Sequence, residues 1–369
     1  MFIVLIVSVI LKGKFNFMSD KKTTYREHTD MENTLKLRQV LATLPPFCKD
    51  YFRAIDTTTT AKTRISYAYD IRIFFQFLLD ENPAFKDHAM TDFTVDVLDQ
   101  IKAVDLEEYQ EYLKLYQSGD KTETNGERGL KRKISALRSF YAYYYKREMI
   151  HTNPTVLIDV PKIHEKSIIR LDTDEVAMLL DYIEHCGDTL TGQKRVFYEK
   201  TKERDLAIVT LLLGTGIRVS ECVGLDIEDV DFKNNGIKVT RKGGNEMVVY
   251  FGPEVEKALK RYLEVREGIT PLAGHEHALF YSAQRKRIGV QAVENMVKKY
   301  SRQITTTKKI TPHKLRSTYG TALYQETGDI YLVADVLGHK DVNTTKKHYA
   351  ALDDARRRQA ATAVKLREE

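Results

Sequence analysis

Residues 151–167 read HTNPTVLIDVPKIHEKS, a stretch with two prolines and no apolar period, set between two halves of strongly helical pattern. Proline lacks an amide donor and disfavours helical backbone at the residue before it, so no helix or central strand can run through this segment. It reads as an extended connection, and the chain must fold as two bodies. The 369 residues, 42% of them apolar, suffice for two cores of ordinary size. The expected division is an arm over 18–56, a helical domain over 57–153, a linker over 154–167, a second domain over 168–351 and a helical tail over 352–369.

In the first body, apolar residues recur at helical spacing from Ala61 to Leu79: Ile65, Tyr69, Ile73 and Phe77, with Phe74 and Leu78 beside them. The preceding DTTTT offers hydroxyls to cap that helix. Upstream, residues 19–60 are polar apart from LATLPPFCKDYF and read as an arm. Downstream, LEEYQEYLKLYQ continues a helical pattern, SGDKTETNGERG reads as a polar loop, and LKRKISALRSFYAYYYKREMI as a further helix. From Arg128 to Arg147 this last helix carries seven basic residues and no acidic one. At about 100° per residue, Lys131, Ser135 and Arg138 share one face and Leu130, Ile134, Leu137 and Tyr141 lie roughly opposite. One stripe can bury while the other meets solvent or DNA phosphates.

The second body opens near Ile168, with LDTDEVAMLLDYIEHC as a capped helix. RDLAIVTLLLGTGIRVSECVGL reads as a buried helix, a Gly-Thr-Gly break and a second helix from about Val219. GIKVTRKGGNEMVVYF alternates across a Gly-Gly turn, which predicts a hairpin, and the pattern after Pro253 is mostly helical. The fold class is therefore mainly α with a small antiparallel sheet.

A net charge of +6 is too mild to demand a polyanionic partner, so the placement of cations matters more than their sum. Cys48, Cys186 and Cys222 stand far apart without a CxxC pair, as expected of reduced thiols in a cytoplasmic protein. The opening MFIVLIVSVILKGKFNF holds an apolar run, Phe2 to Leu11, that is short for a bilayer-spanning helix. It lacks the flanks of a signal peptide, so residues 1–17 are expected to be a leader from a start assigned too early, with Met18 opening the working protein. A membrane tether is the alternative. Nothing else is apolar enough to cross a membrane.

Chemistry has four places to reside. Arg218 follows the Gly-Thr-Gly break and precedes Glu221 by three residues, which by itself reads as a helix-surface ion pair. Lys242 sits in the hairpin turn, His313 and Arg316 fall one helical turn apart in TPHKLRSTYGT, and VLGHKDVNTTKKHYA carries His339 and Tyr349. Each is weak alone. Taken in this order and context, these residues resemble the tyrosine recombinase, or phage integrase, family, including its Xer-type members and transposon integrases. The resemblance runs from about Thr57 through KRKISALRSFYAYYYKREMIHTNPTVLIDVPK, TGIRVSECVGL, RKGGNEMVVYF and TPHKLRSTYGTAL to the Leu-Gly-His segment. One departure is that Tyr349 falls ten residues after His339, one more than is usual in Xer-type members; the longer spacing occurs among transposon and phage integrases.

The resemblance implies a helical, SAM-like core-binding bundle that clamps DNA, followed by an α+β catalytic domain. It implies Tyr349 as the nucleophile that forms a 3′-phosphotyrosine. Arg218 and Arg316 would grip the non-bridging oxygens, His339 would add a donor, and His313 would help accept the phenolic proton. Lys242 would protonate the leaving 5′ oxygen and Glu221 would orient the arginines. A phenol titrates near about 10, so it needs such help, and guanidinium forks suit a phosphorane because they stay charged and donate in pairs. Arg64, Lys131, Arg132, Ser135 and Arg138 are the expected DNA contacts. The implied partner is double-stranded DNA bearing inverted repeats, bound by a homotetramer or one shared with a heterologous recombinase, the tail packing into a neighbouring protomer. No cofactor and no metal is expected: there is no P-loop, GTG lacks a Rossmann context, and HEH at 275–277 has no third ligand. The alternative function is a regulator without chemistry, since IYLVADVLGHKDVNTTKKHY also has helix-turn-helix spacing. A type IB topoisomerase would share the chemistry, but the clamp helices argue against it.

Overall fold

The first helix begins well inside the expected arm. In the computed structural model, which describes residues 24–164, 168–241, 244–339, 341–343 and 345, Tyr25–Leu41 (α1) and Cys48–Ala54 (α2) are helical. The chain divides at residue 165 into two compact units. Thr24 and Glu27 cap α1 reciprocally, and Leu37, Val40, Leu44, Tyr51 and Phe52 enter the core of the first unit. Residues 25–54 are thus part of the first unit's bundle.

Thr60 caps Ala61–Glu81 (α3) as the threonine run predicts, its hydroxyl accepting from Thr63 N at 3.3 Å. The buried face runs through Ile65, Ala68, Ile71, Phe74, Phe75 and Leu78, with Tyr69 and Ile73 at its partly buried edge. Val97–Gln100 (α4) and Ala103–Tyr112 (α5) follow. The helical pattern then stops short: Leu115–Ser118 (β1) and Lys121–Thr124 (β2) pair as an antiparallel hairpin where a helix end and a loop are expected. Glu127–Tyr145 (α6) buries Leu130, Ile134, Leu137 and Tyr141 and leaves Lys131 and Ser135 exposed, as its period predicts.

One basic residue of α6 turns into the core and its half-exposed neighbour joins it in an ion pair. Lys133 is buried with Nζ 3.7 Å from Oδ1 of Asp70 on α3, and Arg132 closes on the other carboxylate oxygen. Desolvation holds the Asp70 carboxyl above its usual range despite these cations, and pulls the Lys133 ammonium below its own. Removing one partner of such a buried set leaves an uncompensated charge. Asp70→Asn is therefore expected to destabilise the first unit by about 3 kcal/mol; an unchanged melting curve would show that the pair contributes nothing.

The proline-containing connection is not free chain at its start. Arg138 donates from Nε to Thr155 O at 3.0 Å and from Nη2 to Ile158 O at 2.7 Å, and both Thr155 and Ile158 are buried. Residues 154–158 therefore pack with the first unit. Arg64, only 13% exposed at its side chain, is likewise committed to an ion pair with Asp56.

In the second unit, Asp172 and Glu175 cap Thr173–His185 (α7). Gly192–Thr215 (α8) is the central helix, with Leu206–Leu212 buried. Val219–Gly224 (α9) leads into a three-stranded antiparallel sheet, Val230–Asp231 (β3), Gly236–Thr240 (β4) and Glu246–Tyr250 (β5), in that order. Pro253–Glu267 (α10), Val290–Ile304 (α11), Pro312–Thr327 (α12) and Ile330–Leu337 (α13) follow. Helices α7, α10 and α12 pack on α8. No described helix is long and apolar enough to cross a membrane. The leader at 1–17 and the tail at 352–369 lie outside the described residues.

Candidate active site

Helix α8 stops at Gly216, which takes φ +62° and donates its amide to Leu212 O at 3.1 Å. A Cβ there would stand 2.4 Å from the Tyr319 ring of α12, so glycine is required for both the turn and the close approach. Two residues on, Arg218 occupies the N-cap of α9. Its amide donates to Glu221 Oε2 and its Nη1 to Glu221 Oε1, each at 2.8 Å, and Nη2 reaches Gly338 O at 3.4 Å.

Pro312 opens α12 in the first turn, where a missing amide costs nothing. His313 follows on the exposed side, and Arg316, one turn later, points inward at 4% exposure. Arg316 Nη1 donates to Gly216 O at 2.5 Å and Nη2 to Leu337 O.

Leu337 ends α13, and Gly338 at φ +61° turns the chain so that the His339 amide bonds back to Ala334 O at 2.9 Å. The His339 ring is half-buried, with Nδ1 2.7 Å from the hydroxyl of buried Thr345.

Arg241 completes the group, and the motif-based reading passes over it. Strand β4 alternates, with Ile237 and Val239 buried and Lys238 and Thr240 exposed, and Arg241 continues the buried face at 8% exposure. A guanidinium there must find partners. Nη1 donates to Glu221 Oε2 at 3.0 Å and to Leu337 O at 3.4 Å, Nη2 to Val336 O at 2.8 Å, and Nε to Met247 Sδ at 2.8 Å. Burial lowers the proton affinity of this guanidinium, with Glu221 opposing and Arg218 reinforcing the effect. The signal was present in the alternation of β4.

Three guanidinium groups thus meet at one place. Arg241, Arg316 and Arg218 bond the carbonyls of residues 336, 337 and 338, the end of α13 where a helix leaves its carbonyls unpaired. Backbone oxygens orient these cations without cancelling their charge, and Glu221 is the carboxylate shared by Arg218 and Arg241. Such a cluster suits an oxyanion with several oxygens, above all a phosphate.

Of the residues singled out from sequence, Arg218, Glu221, Arg316 and His339 come together, and His313 shares the first turns of α12 with Arg316. Lys242 and Tyr349 lie outside the described residues; Arg241 N donates to Asn245 O at 2.7 Å where β4 and β5 meet. In the HEH segment, His277 pairs with Glu228 at 2.5 Å, and among the described residues no three metal-ligating side chains gather. Cys222, beside Glu221, is fully buried, and burial pushes its thiol up to about 12.

Residues 169–356, about half of the chain, match the phage integrase family. The tyrosine recombinase XerC of Caldanaerobacter subterraneus subsp. tengcongensis is 33% identical over 336 residues, covering 88% of each chain. The chain belongs to the phage integrase family of tyrosine recombinases. A second relative of this recombinase, XerS of Lactococcus lactis subsp. cremoris, is 31% identical and covers 85% of the chain and 93% of its own length. Two solved structures share the fold. The Tn1549 transposon integrase, in complex with circular intermediate DNA, has a TM-score of 0.60 at 21% identity, over 85% of this chain and 98% of that one. XerH bound to a palindromic difH substrate has a TM-score of 0.58 at 21% identity, over 82% and 79%. The recombinase is therefore a site-specific enzyme that cuts and rejoins DNA. The match spans Arg218, Lys242, His313, Arg316, His339 and Tyr349, whereas the helix-turn-helix reading accounts only for 330–349.

Proposed function

We propose that the arginine cluster of the second unit grips the scissile phosphate of double-stranded DNA for in-line attack by Tyr349. Arg218 and Arg316 bind the non-bridging oxygens and His339 adds a donor. The Tyr349 hydroxyl attacks phosphorus, passing its proton toward His313. The bond to the 5′ oxygen breaks, and that oxygen takes a proton from Lys242. The product is a 3′-phosphotyrosine and a free 5′ hydroxyl, and the reverse sequence on an exchanged strand rejoins the DNA. Glu221 holds Arg218. The observation that carries this reading is the convergence of Arg218, Arg241 and Arg316 on the last carbonyls of α13, next to His339.

The first unit would hold the duplex, with exposed Lys131 and Ser135 and half-exposed Arg132 toward the phosphates, while Arg64 and Arg138 serve the fold. Strand exchange joins two duplexes, each held by two protomers, so the working form is a tetramer, of this chain alone or with a heterologous recombinase. A two-fold protein pair reads inverted repeats, in keeping with the palindromic substrate of XerH. DNA as substrate puts the enzyme in the cytoplasm.

Incubation with a duplex nicked near the cleavage point lets the short product diffuse away and traps the intermediate. The wild-type chain is expected to run as a protein–DNA adduct on a denaturing gel, linked through the DNA 3′ phosphate. A chain that binds its site firmly and never forms the adduct would leave a DNA-binding regulator instead.

A further inference from the structure

We propose that Arg241 is a positioning residue for strand cleavage: it keeps Arg218 turned toward the phosphate and pins the last turn of α13 ahead of His339. The inference rests on the phosphate-gripping reading of the site. It follows from how Glu221 divides its two oxygens. Oε1 accepts from Arg218 Nη1, while Oε2 accepts from Arg241 Nη1 at 3.0 Å and from the Arg218 amide. A carboxylate facing a guanidinium favours the two-pronged pair, in which both oxygens take parallel N–H groups. Arg241 occupies the second oxygen, so Arg218 stays bound by one prong and its Nη2 is left toward Gly338 O at 3.4 Å, a distance weak enough for a phosphate to compete.

The same guanidinium ties three elements. It stands at the end of β4, one residue before Lys242, and bonds Val336 O and Leu337 O at the C-terminus of α13. Gly338 is packed against it, since a Cβ at that position would lie 3.0 Å from Arg241 Nε. The hairpin base, the Arg218 neighbourhood and the turn into His339 therefore share one buried side chain. Lysine cannot replace it, because a single ammonium does not span Glu221 and the helix end together.

The test uses the full chain and the nicked duplex, measuring adduct formation in a single turnover at saturating DNA, affinity for uncut DNA, and the melting temperature. Arg241→Met is expected to slow cleavage roughly 100-fold with affinity changed by less than about threefold. Glu221→Gln, which offers a single neutral acceptor oxygen and so cannot capture Arg218 by two prongs, is expected to slow cleavage about tenfold alone yet to restore about tenfold when added to Arg241→Met. A double variant slowed by the product of the two single effects would overturn the proposal, as would an Arg241→Met chain that cleaves at the wild-type rate. Should Arg241→Met melt below the assay temperature, Arg241→Lys carries the test: it keeps charge and bulk and should show the same loss, and wild-type cleavage by it would equally overturn the proposal. Tyr349→Phe is run beside them. If that variant still forms the adduct, the phosphate-gripping reading falls; if it does not while Arg241→Met is unslowed, only the role of Arg241 falls.

Discussion

Tyr349→Phe is expected to bind the recombination site as tightly as the parent chain and to form no protein–DNA adduct, with cleavage below about one-thousandth of wild type. The substitution removes one oxygen and keeps the ring, so packing and the phosphate contacts that set affinity are preserved. What disappears is the only atom that the proposed reaction bonds to phosphorus. Arg218 and Arg316, with Arg241 behind them, would on this proposal still hold the phosphate, but no nucleophile would face it. Comparing DNA affinity by gel shift with covalent yield on the nicked duplex separates the two effects. Residual adduct in the Phe variant would move the nucleophile to another residue. Equal loss of binding and cleavage would make Tyr349 a DNA contact, as the helix-turn-helix alternative has it.

The parts of this molecule legible in the chain alone are those in which local chemistry and tertiary burial agree. Thr60 and Asp172 cap the helices they precede, the Gly-Thr-Gly break ends α8 at Gly216, and the alternation around Gly243 and Gly244 gives β4 and β5. The order of Arg218, His313, Arg316 and His339 points to a shared site, and among them Arg218 and Arg316 reach the backbone carbonyls of Gly338 and Leu337, just ahead of His339. Where the fold departs from the sequence pattern, the periodic signal is absent or belongs to something else. Strands β1 and β2 are exposed along almost their whole length, so no apolar face alternates and the hairpin looked like a loop. Residues 25–54 bury apolar side chains at intervals broken by Pro45 and Pro46, and the polar majority of α1 masked its contribution to the core. Arg241 was hidden differently. Its neighbour Lys242 fitted a motif, whereas its own importance appears only when a charged residue is counted on the buried face of β4.

Arg316→Ala is expected to cost both stability and catalysis, and the two losses have separate physical origins. The Arg316 guanidinium is buried and bonds Gly216 O and Leu337 O, which belong to the break after α8 and the end of α13. Alanine removes the guanidinium donor of Gly216 O and leaves Leu337 O with only the long 3.4 Å bond from Arg241, at about 1–3 kcal/mol for each lost bond, partly relieved by entering water. A loss of about 2–4 kcal/mol in the second unit is expected, read as a lower melting temperature. Catalysis loses a fixed cation beside the developing phosphorane charge, worth about 10³-fold in cleavage rate at saturating DNA. Arg316→Lys separates the two contributions. An ammonium returns the charge but, as a point donor on a flexible stem, bonds one carbonyl at a time and cannot also fork to the phosphate. It should regain much of the melting temperature while cleavage stays down about 100-fold or more. If the lysine variant cleaves at nearly the wild-type rate, charge alone suffices and the forked geometry is irrelevant. If the alanine variant melts like wild type and cleaves within about tenfold of it, Arg316 is neither the structural tie between Gly216 and Leu337 nor the phosphate grip argued for it.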